Sequence, residues 1–268
     1  LLKEYQELPY DHHHSSELSK RKSDVYARVC SHPLSDYISY GNHRDEYVEA
    51  ITKGLEMGGL LGKRLQLHNE ARVRVDNRLR SGKIDNGRLA HAGYGIENVL
   101  DGSGSMSGLK WSATLQMTMA IIKAASYTQN INIQLSIRVT GGHNDTPVNL
   151  FVYDSRKNKV NHAVNVLSRF SPNSMTPEGL CFEALIKKNK LIPSTKDIQS
   201  YFLNISDGAP GCTNYHGTSA TNHTKRQVNA MRNDLEMQVM SFYIDGSSKD
   251  HDALVRQFMS NYTGEAFR

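Results

Sequence analysis

The sequence predicts an α/β fold: a Rossmann-like, doubly wound, mostly parallel sheet preceded by an N-terminal helical, basic extension. From about residue 96, short apolar runs alternate with helical patterns of about ten or more residues, which is typical of parallel strands joined by crossover helices. Polar loops follow two of these runs, at Asp101 and Asp207. In such sheets, ligands bind at the carboxyl ends of the strands, so these two loops are the first candidates for a functional site.

Residues 1–95 form the predicted extension and connector, and residues 96–268 form the predicted α/β domain. The spacing of apolar residues over 43–64 predicts an amphipathic helix, whose end should be weakened or bent by three glycines. Residues 65–80 are strongly charged and predict either a helix or an extended arm. Residues 81–95 contain four glycines and predict a connector.

The α/β domain is predicted to contain elements in the following chain order. They are a strand at 96–100, a helix at 111–127, strands at 131–139 and 148–153, helices at 160–170 and 178–189, a strand at 201–205, a polar loop to about residue 221, a helix at 225–236, a strand at 239–244 and a helix at 250–259.

The first of these strands is unusually short and polar for the centre of a parallel sheet. It offers about five residues and includes Glu97 and Asn98, whereas a central parallel strand is normally a longer apolar run. Either the strand is short or residues are missing before the loop, and we expect the second. We also expect the natural N-terminus to lie upstream, because the chain lacks an initiator Met, and an edge strand to follow residue 268.

The composition excludes several classes of protein. No run of about 18 apolar residues exists, so no membrane span is expected. The three cysteines are far apart, which argues against a disulfide framework or a cysteine zinc site and favours a reducing, cytoplasmic compartment. The net charge is +5, but acidic residues interrupt the basic ones. This favours a solvated surface over nucleic-acid binding.

The loop after the first strand offers oxygen ligands for a metal ion. Asp101, Ser103 and Ser105 alternate along the chain, so that one carboxylate and two hydroxyls can converge, while the intervening glycines allow tight turns. Such hard oxygen ligands suit Mg²⁺ or Mn²⁺ and suit zinc poorly. Considered alone, the loop is also compatible with a simple helix N-cap.

Two further residues favour the metal site. Thr176 stands at the start of a predicted helix and Asp207 at the end of a predicted buried strand. Both are expected at the same sheet edge as Asp101. Replacing Asp101 or Thr176 by Ala is expected to weaken metal-dependent binding and to leave the fold largely intact.

The Asp-x-Ser-x-Ser loop, followed along the chain by Thr176 and Asp207, resembles the metal-ion-dependent adhesion site (MIDAS) of von Willebrand factor A (VWA) domains. The resemblance covers residues 96 to about 260. The resemblance implies that Ser103 and Ser105 bind the metal directly. It implies that Asp101 and Asp207 often act through water, and that Thr176 does either. It also implies an open coordination position, which an Asp or Glu of a partner protein fills.

Three strings give a narrower resemblance, to the VWA domain of the CobT subunit of aerobic cobaltochelatase. They are the residues 101–108, Thr-Pro-Glu-Gly at 176–179, and Ile-Ser-Asp-Gly-Ala-Pro at 205–210. The resemblance implies an adaptor without catalysis of its own that partners a MoxR-type AAA+ ATPase. Two alternatives stay open: a non-catalytic subunit of the chelatase that inserts cobalt into a corrin precursor, and a structural or adhesive assembly protein. The oligomeric state is also open.

Other constellations are weaker. The residues expected to form a partner-binding rim around the metal are Met106, Glu178, Cys212, Tyr215 and His216. A second metal cluster in residues 211–223 and a metal-binding run at His12, His13 and His14 are less favoured than polar loops. A serine nucleophile with His143 as its base is disfavoured, because neither Ser103 nor Ser105 lies in a G-x-S-x-G pattern.

Overall fold

The computed structural model describes residues 5–7, 43–80, 93–141 and 146–244, and near the C-terminus residues 255–256, 258–259, 262 and 266–267. The elements are β1 (Tyr5–Glu7), α1 (Arg44–Arg80), β2 (Gly93–Asp101), α2 (Leu109–Ala125), β3 (Ile131–Gly141), β4 (Thr146–Asp154), α3 (Val160–Leu167), α4 (Glu178–Lys187), β5 (Ile198–Ser206), α5 (Gly217–Asn233), β6 (Gln238–Tyr243) and β7 (Ala266–Phe267). Part of the helix predicted at 250–259 lies outside the described residues.

The strands form one seven-stranded sheet in the order β1-β4-β3-β2-β5-β6-β7. The pairs from β3 through β2, β5 and β6 to β7 are parallel, whereas β4 runs antiparallel to β3, and β1 antiparallel to β4. The antiparallel edge arises because only residues 142–145 separate β3 from β4, which is too short for a crossover. The predicted doubly wound, mostly parallel α/β fold is confirmed.

Helices cover both faces of the sheet, and each face has its own apolar core. On one face, α1, α2 and α3 pack around Leu100, Trp111 and Ile137. On the other face, α4 and α5 pack around Val99 and Phe202, together with Phe258 and Tyr262 from the C-terminal residues. Because successive side chains of a strand point to opposite faces, β2 contributes Val99 to one core and Leu100 to the other.

Strand β2 is longer than predicted. It spans nine residues, from Gly93 to Asp101, and lies between β3 and β5 as a central strand. Glu97 and Asn98 are both buried within it. The expectation that residues are missing before the loop is therefore unnecessary, because Gly93, Tyr94 and Gly95 supply the additional strand length.

Helix α1 is continuous through the glycines that were expected to weaken it. The prediction concerned Gly58, Gly59 and Gly62. Gly58, like Gly54 one turn earlier, faces α2, and Gly62 faces Tyr127 just after α2. A Cβ atom would lie 2.4 Å from the carbonyl oxygen of Gln116 at Gly54, and 2.5 Å from that of Ala120 at Gly58. The glycines therefore allow the two helix backbones to approach closely. The helix continues to Arg80 because tertiary packing outweighs the low helix propensity of glycine.

The first turns of α1 belong to the same core as the sheet. Tyr47 and Ile51 are each only 2% exposed and pack in the cluster that contains Leu100 and Trp111. The predicted division of the chain at residue 95 stays a prediction, but α1 is in contact with the α/β domain.

Candidate metal and partner-binding site

The predicted ligands meet at the carboxyl edge of β2 and β5, at the point where the sheet is wound in both directions. Asp101 is the last residue of β2, and Asp207 directly follows β5. The chain passes from β2 to β3 on one side and returns to β5 on the other. Such a switch point leaves a crevice between the strand ends, which is where open α/β sheets bind ligands.

Three polar side chains are in direct contact in this crevice. The hydroxyl oxygens of Ser103 and Ser105 lie 3.0 Å apart, and the hydroxyl of Ser105 donates to Oδ1 of Asp207 at 2.8 Å. Ser103 is 3% exposed and Asp207 8% exposed, whereas Ser105 is exposed. The cluster is thus built on a buried base and opens to solvent at Ser105.

Thr176 belongs to a loop that lies beside both of the other loops. The amide of Gly104 donates to the carbonyl of Ser174 at 2.8 Å, and Thr176 exchanges two backbone hydrogen bonds with Gly211, of 2.9 and 2.8 Å. These contacts join the three loops that the sequence predicted to meet. Thr176 itself is 9% exposed.

Asp101 is buried beneath the serines, and its carboxylate is occupied by the protein. Oδ1 accepts the amide of Ser103 at 2.9 Å, while Oδ2 accepts the Ser206 hydroxyl at 2.5 Å and the Arg138 guanidinium at 3.1 Å. Asp101 therefore fixes the start of the loop. The neutralising cation, Arg138, comes from the neighbouring strand β3.

Arg138 is the centre of a fully buried polar network. Its guanidinium donates to Glu178 at 3.2 Å and to the side-chain oxygen of Asn204 at 2.5 Å, and Glu178 also accepts the Tyr262 hydroxyl at 2.6 Å. Burial by itself would lower the pKa of Arg138, but the carboxylates of Asp101 and Glu178 raise it, so the guanidinium is charged. Burial raises the pKa of Glu178, and Arg138 opposes that rise.

A lysine already places a positive charge on the site. The ammonium of Lys110, in the first turn of α2, forms a short contact with Oδ2 of Asp207. The Lys110 side chain is 24% exposed and that of Asp207 only 4% exposed. Asp207 therefore binds a cation here, and any metal ion at Asp207 has to share the carboxylate with Lys110 or displace it.

The predicted partner-binding rim needs correction. Met106 and Glu178 are 0% exposed, Tyr215 2% and Cys212 5%, so these four side chains do not face a partner. Met106 packs in the apolar core, Glu178 binds Arg138, and the Tyr215 hydroxyl lies 3.0 Å from Nδ1 of His223. His216 is exposed, and its role in a partner-binding rim stays a prediction.

Two large apolar side chains close to the site are exposed and were not predicted. Leu109, the first residue of α2, is 84% exposed, and Met175 directly precedes Thr176 and is 43% exposed. Burial cannot be read from residue type alone, so the sequence offered no signal for either. For Arg138 a signal existed, because it is the one charged residue within the alternating apolar pattern of residues 131–139.

The less favoured constellations gain no support. His12, His13, His14 and His143 lie outside the described residues. Among the residues that the structure describes, no group of three or more His, Cys, Asp or Glu side chains is arranged to hold a metal ion, so a second cluster in 211–223 is not formed. The serine hydroxyls contact each other and Asp207. The absence of such a group does not concern the predicted site at Asp101. That set of two serines, one threonine and two aspartates depends mainly on hydroxyl ligands.

In the described part of the chain, no helix combines the length and apolarity that crossing a membrane requires.

Comparison with known proteins gives low similarity. No protein-family model matches the chain, and no curated protein matches it. Among solved structures, a D319A mutant of the PilB minor pilin of Streptococcus sanguinis aligns at 11% identity with a TM-score of 0.46, over 68% of this chain and 58% of the pilin. The manganese-loaded TRAP protein of Plasmodium vivax aligns at 16% identity with a TM-score of 0.45, over 61% of each chain.

The pilus adhesin SpaC of Lactobacillus rhamnosus GG aligns at 13% identity with a TM-score of 0.41, over 67% of this chain and 28% of the adhesin. This chain thus spans less than two thirds of the length of each of these structures. At such scores the similarities assign neither a function nor a partner.

Proposed function

We propose that the chain is a metal-dependent protein-binding module of the VWA type, in which the loop 101–105, Thr176 and Asp207 hold Mg²⁺ or Mn²⁺. The observation on which the proposal rests is the cluster of Ser103, Ser105 and Asp207 oxygens at the switch point of the sheet. Oxygen donors of this kind fit a hard divalent cation.

The charges of the site favour an open, electrophilic metal. Arg138 neutralises Asp101 beneath the loop, so Asp207, which Lys110 contacts, is the carboxylate that remains for a metal ion. A divalent cation held by two hydroxyls and one carboxylate keeps a net positive charge. Such an ion attracts a further carboxylate, and we propose that an Asp or Glu of a partner protein supplies it.

The surroundings of the site suit a partner whose acidic residue stands among apolar ones. Leu109 at the start of α2 and Met175 on the loop before Thr176 are both exposed. Burying apolar side chains around a charged contact excludes water and strengthens that contact. We therefore expect the partner surface to contain an Asp or Glu next to aliphatic or aromatic side chains.

We propose a MoxR-type AAA+ ATPase as the partner, with this chain as an adaptor that has no catalysis of its own. The support is the sequence resemblance to CobT-like VWA domains in the three strings at 101–108, 176–179 and 205–210. A role as a cobaltochelatase subunit is the narrower form of the same proposal. An intracellular location fits Cys181, which is buried and forms no disulfide with any residue that the structure describes.

The metal can be tested without knowing the partner. Mn²⁺ binding to the purified chain is measured by calorimetry and by the electron paramagnetic resonance of free Mn²⁺. Ser105→Ala and Asp207→Asn should each weaken binding by about tenfold or more, since each removes a metal ligand or its charge. Ser107→Ala, an exposed serine of the same loop, is the matched control and should bind normally.

Partner binding is tested separately, by capturing a co-expressed MoxR-type ATPase on the immobilised chain in Mg²⁺ or in EDTA. Capture in Mg²⁺ that is lost in EDTA and in Ser105→Ala supports the proposal. Mn²⁺ binding that is unchanged in both ligand variants would exclude the metal site. Capture that persists in EDTA would exclude the metal-dependent mechanism.

A further inference from the structure

A second cleft lies at the opposite edge of the sheet from the metal site. It has a volume of about 670 Å³ and is formed by the end of β4, the start of α3 and the loop after α4. This volume is within the range of about 300–1,000 Å³ that is usual for small-molecule sites. In the strand register, Asp154 at the wall of the cleft lies opposite Gln134, near the beginning of β3. Asp101 of the metal site lies opposite Arg138, near the end of the same strand, so the two sites are at opposite ends of β3.

One wall of the cleft is aromatic. Phe151 and Tyr153 line it and are only 9% and 4% exposed. The ammonium of Lys190 lies 5.7 Å from the centre of the Phe151 ring. Most of each side chain packs in an apolar core, and the small part that reaches the cleft can contact a ring of a ligand in an offset or edge-to-face arrangement.

The charged groups that line the cleft are mostly positive. Arg156, Lys157 and Lys190 line the cleft together with a single carboxylate, that of Asp154, which lies 3.8 Å from the Lys157 ammonium. Arg156 is held in a two-point ion pair with Asp154, with both contacts at 2.8 Å, so its position is fixed. Within the described residues, Lys190 has no carboxylate partner, and its contact is the Phe151 ring. The cleft therefore offers an excess of positive charge beside an aromatic surface.

The cleft also contains a polar atom whose hydrogen-bonding capacity is unused. His162 lines the cleft, and its Nε2 atom is buried without a hydrogen-bond partner in the described part of the protein. Burial lowers the pKa of His162, so the ring is neutral at pH 7. A buried polar atom without a partner is uncommon in native proteins and is typical of a site where a ligand or water completes the contact.

A second unsatisfied group lies behind the cleft. Glu97 on β2 is 3% exposed, and its Oε1 atom has no partner among the described residues. Its carboxyl accepts a hydrogen bond from the backbone of Ile192, which lines the cleft. Burial raises the pKa of Glu97 to about 8. The wall therefore adds little negative charge at neutral pH, which favours an anionic occupant.

We propose that this cleft binds a small organic anion with an aromatic ring, such as a mononucleotide, at a site separate from the metal site. The aromatic wall takes the ring, Lys157 and Lys190 take the anionic group, and His162 contributes a neutral hydrogen bond. The proposal is independent of the proposed function, because the two sites share no residue.

The experiment compares AMP with its two parts, adenosine and inorganic phosphate, by calorimetry on the full chain. All measurements are made in EDTA, which prevents binding through a metal. AMP should bind at least about tenfold more tightly than either part, because ring and anion contacts contribute together. The Lys157→Glu/Lys190→Glu variant should lose about tenfold or more of the AMP affinity, the effect of one charge-assisted contact.

Two control variants decide the location of binding. Lys188→Glu reverses an exposed charge close to the cleft but not in its lining, and Asp207→Ala disrupts only the metal site. Both should bind AMP normally. The proposal is overturned if millimolar AMP does not bind, or if either part binds as tightly as AMP. It is also overturned if Lys188→Glu matches the double variant, or if Asp207→Ala abolishes binding.

Discussion

Replacing Lys110 by methionine should increase the affinity of the site for Mn²⁺. The ammonium of Lys110 contacts the carboxylate on which the metal is proposed to depend, and it has to move or share when the metal binds. Methionine keeps the length and the apolar part of the side chain but removes the charge. The variant therefore tests competition between two cations for Asp207.

The size of the effect follows from the exposure of the pair. A hydrogen bond to a charged group contributes about 1.5–3 kcal/mol. Because the Lys110 side chain is 24% exposed, solvent screens the contact and the lower end of that range applies. About 1.4 kcal/mol corresponds to a factor of ten, so the Mn²⁺ dissociation constant should fall by about tenfold.

The assay is a calorimetric titration of Mn²⁺ at fixed ionic strength, with Lys110→Arg as the matched control. Arginine retains the charge and should keep the affinity close to that of the natural chain. A Mn²⁺ affinity that is unchanged or lower in Lys110→Met would show that Lys110 does not compete with the metal for Asp207.

Three further predictions concern stability and can be checked by urea unfolding. Asp101→Ala should lower the free energy of unfolding by about 3–5 kcal/mol, because it removes one of the carboxylates that neutralise the buried Arg138. Asp101→Asn should lower it less, and equal losses in the two variants would contradict this explanation. Gly58→Val should cost about 1–3 kcal/mol or more, since its Cβ would lie 2.5 Å from the Ala120 oxygen; a neutral result would mean that the helices separate easily. As the pH is raised from 5 to 8, the free energy of unfolding of Glu97→Gln should increase by about 2–4 kcal/mol relative to that of the natural chain.

The sign of the Glu97 effect follows from its raised pKa. The folded carboxyl, with a pKa of about 8, holds its proton over a range where the unfolded carboxyl has lost it. The folded state therefore binds more protons, and its stability falls as the pH rises from about 5 to 8. Glutamine has no such proton, so a pH dependence identical to that of the natural chain would contradict the prediction. For Asp101→Ala, the buried contact with Arg138 predicts a larger loss of stability than was expected from the sequence.

Periodicity was sufficient to locate most of the sheet but not its limits. The alternation over 131–139 identified β3, and the apolar run at 201–205 identified β5. The extent of β2 was not predictable in the same way, because Gly93 and Gly95 are poor strand formers and Glu97 is charged. Those residues are in a strand because β3 and β5 pair with them on both sides.

The fold class and the closeness of Asp101 and Asp207 at the carboxyl edge of the sheet could be predicted from the sequence, because strand-end positions are a consequence of chain order. The contact of Lys110 with Asp207 and the neutralisation of Asp101 by Arg138 became evident from the folded structure. The burial of Glu178 became evident in the same way. These facts depend on which side chains from distant segments share one volume, and local spacing along a chain does not encode that.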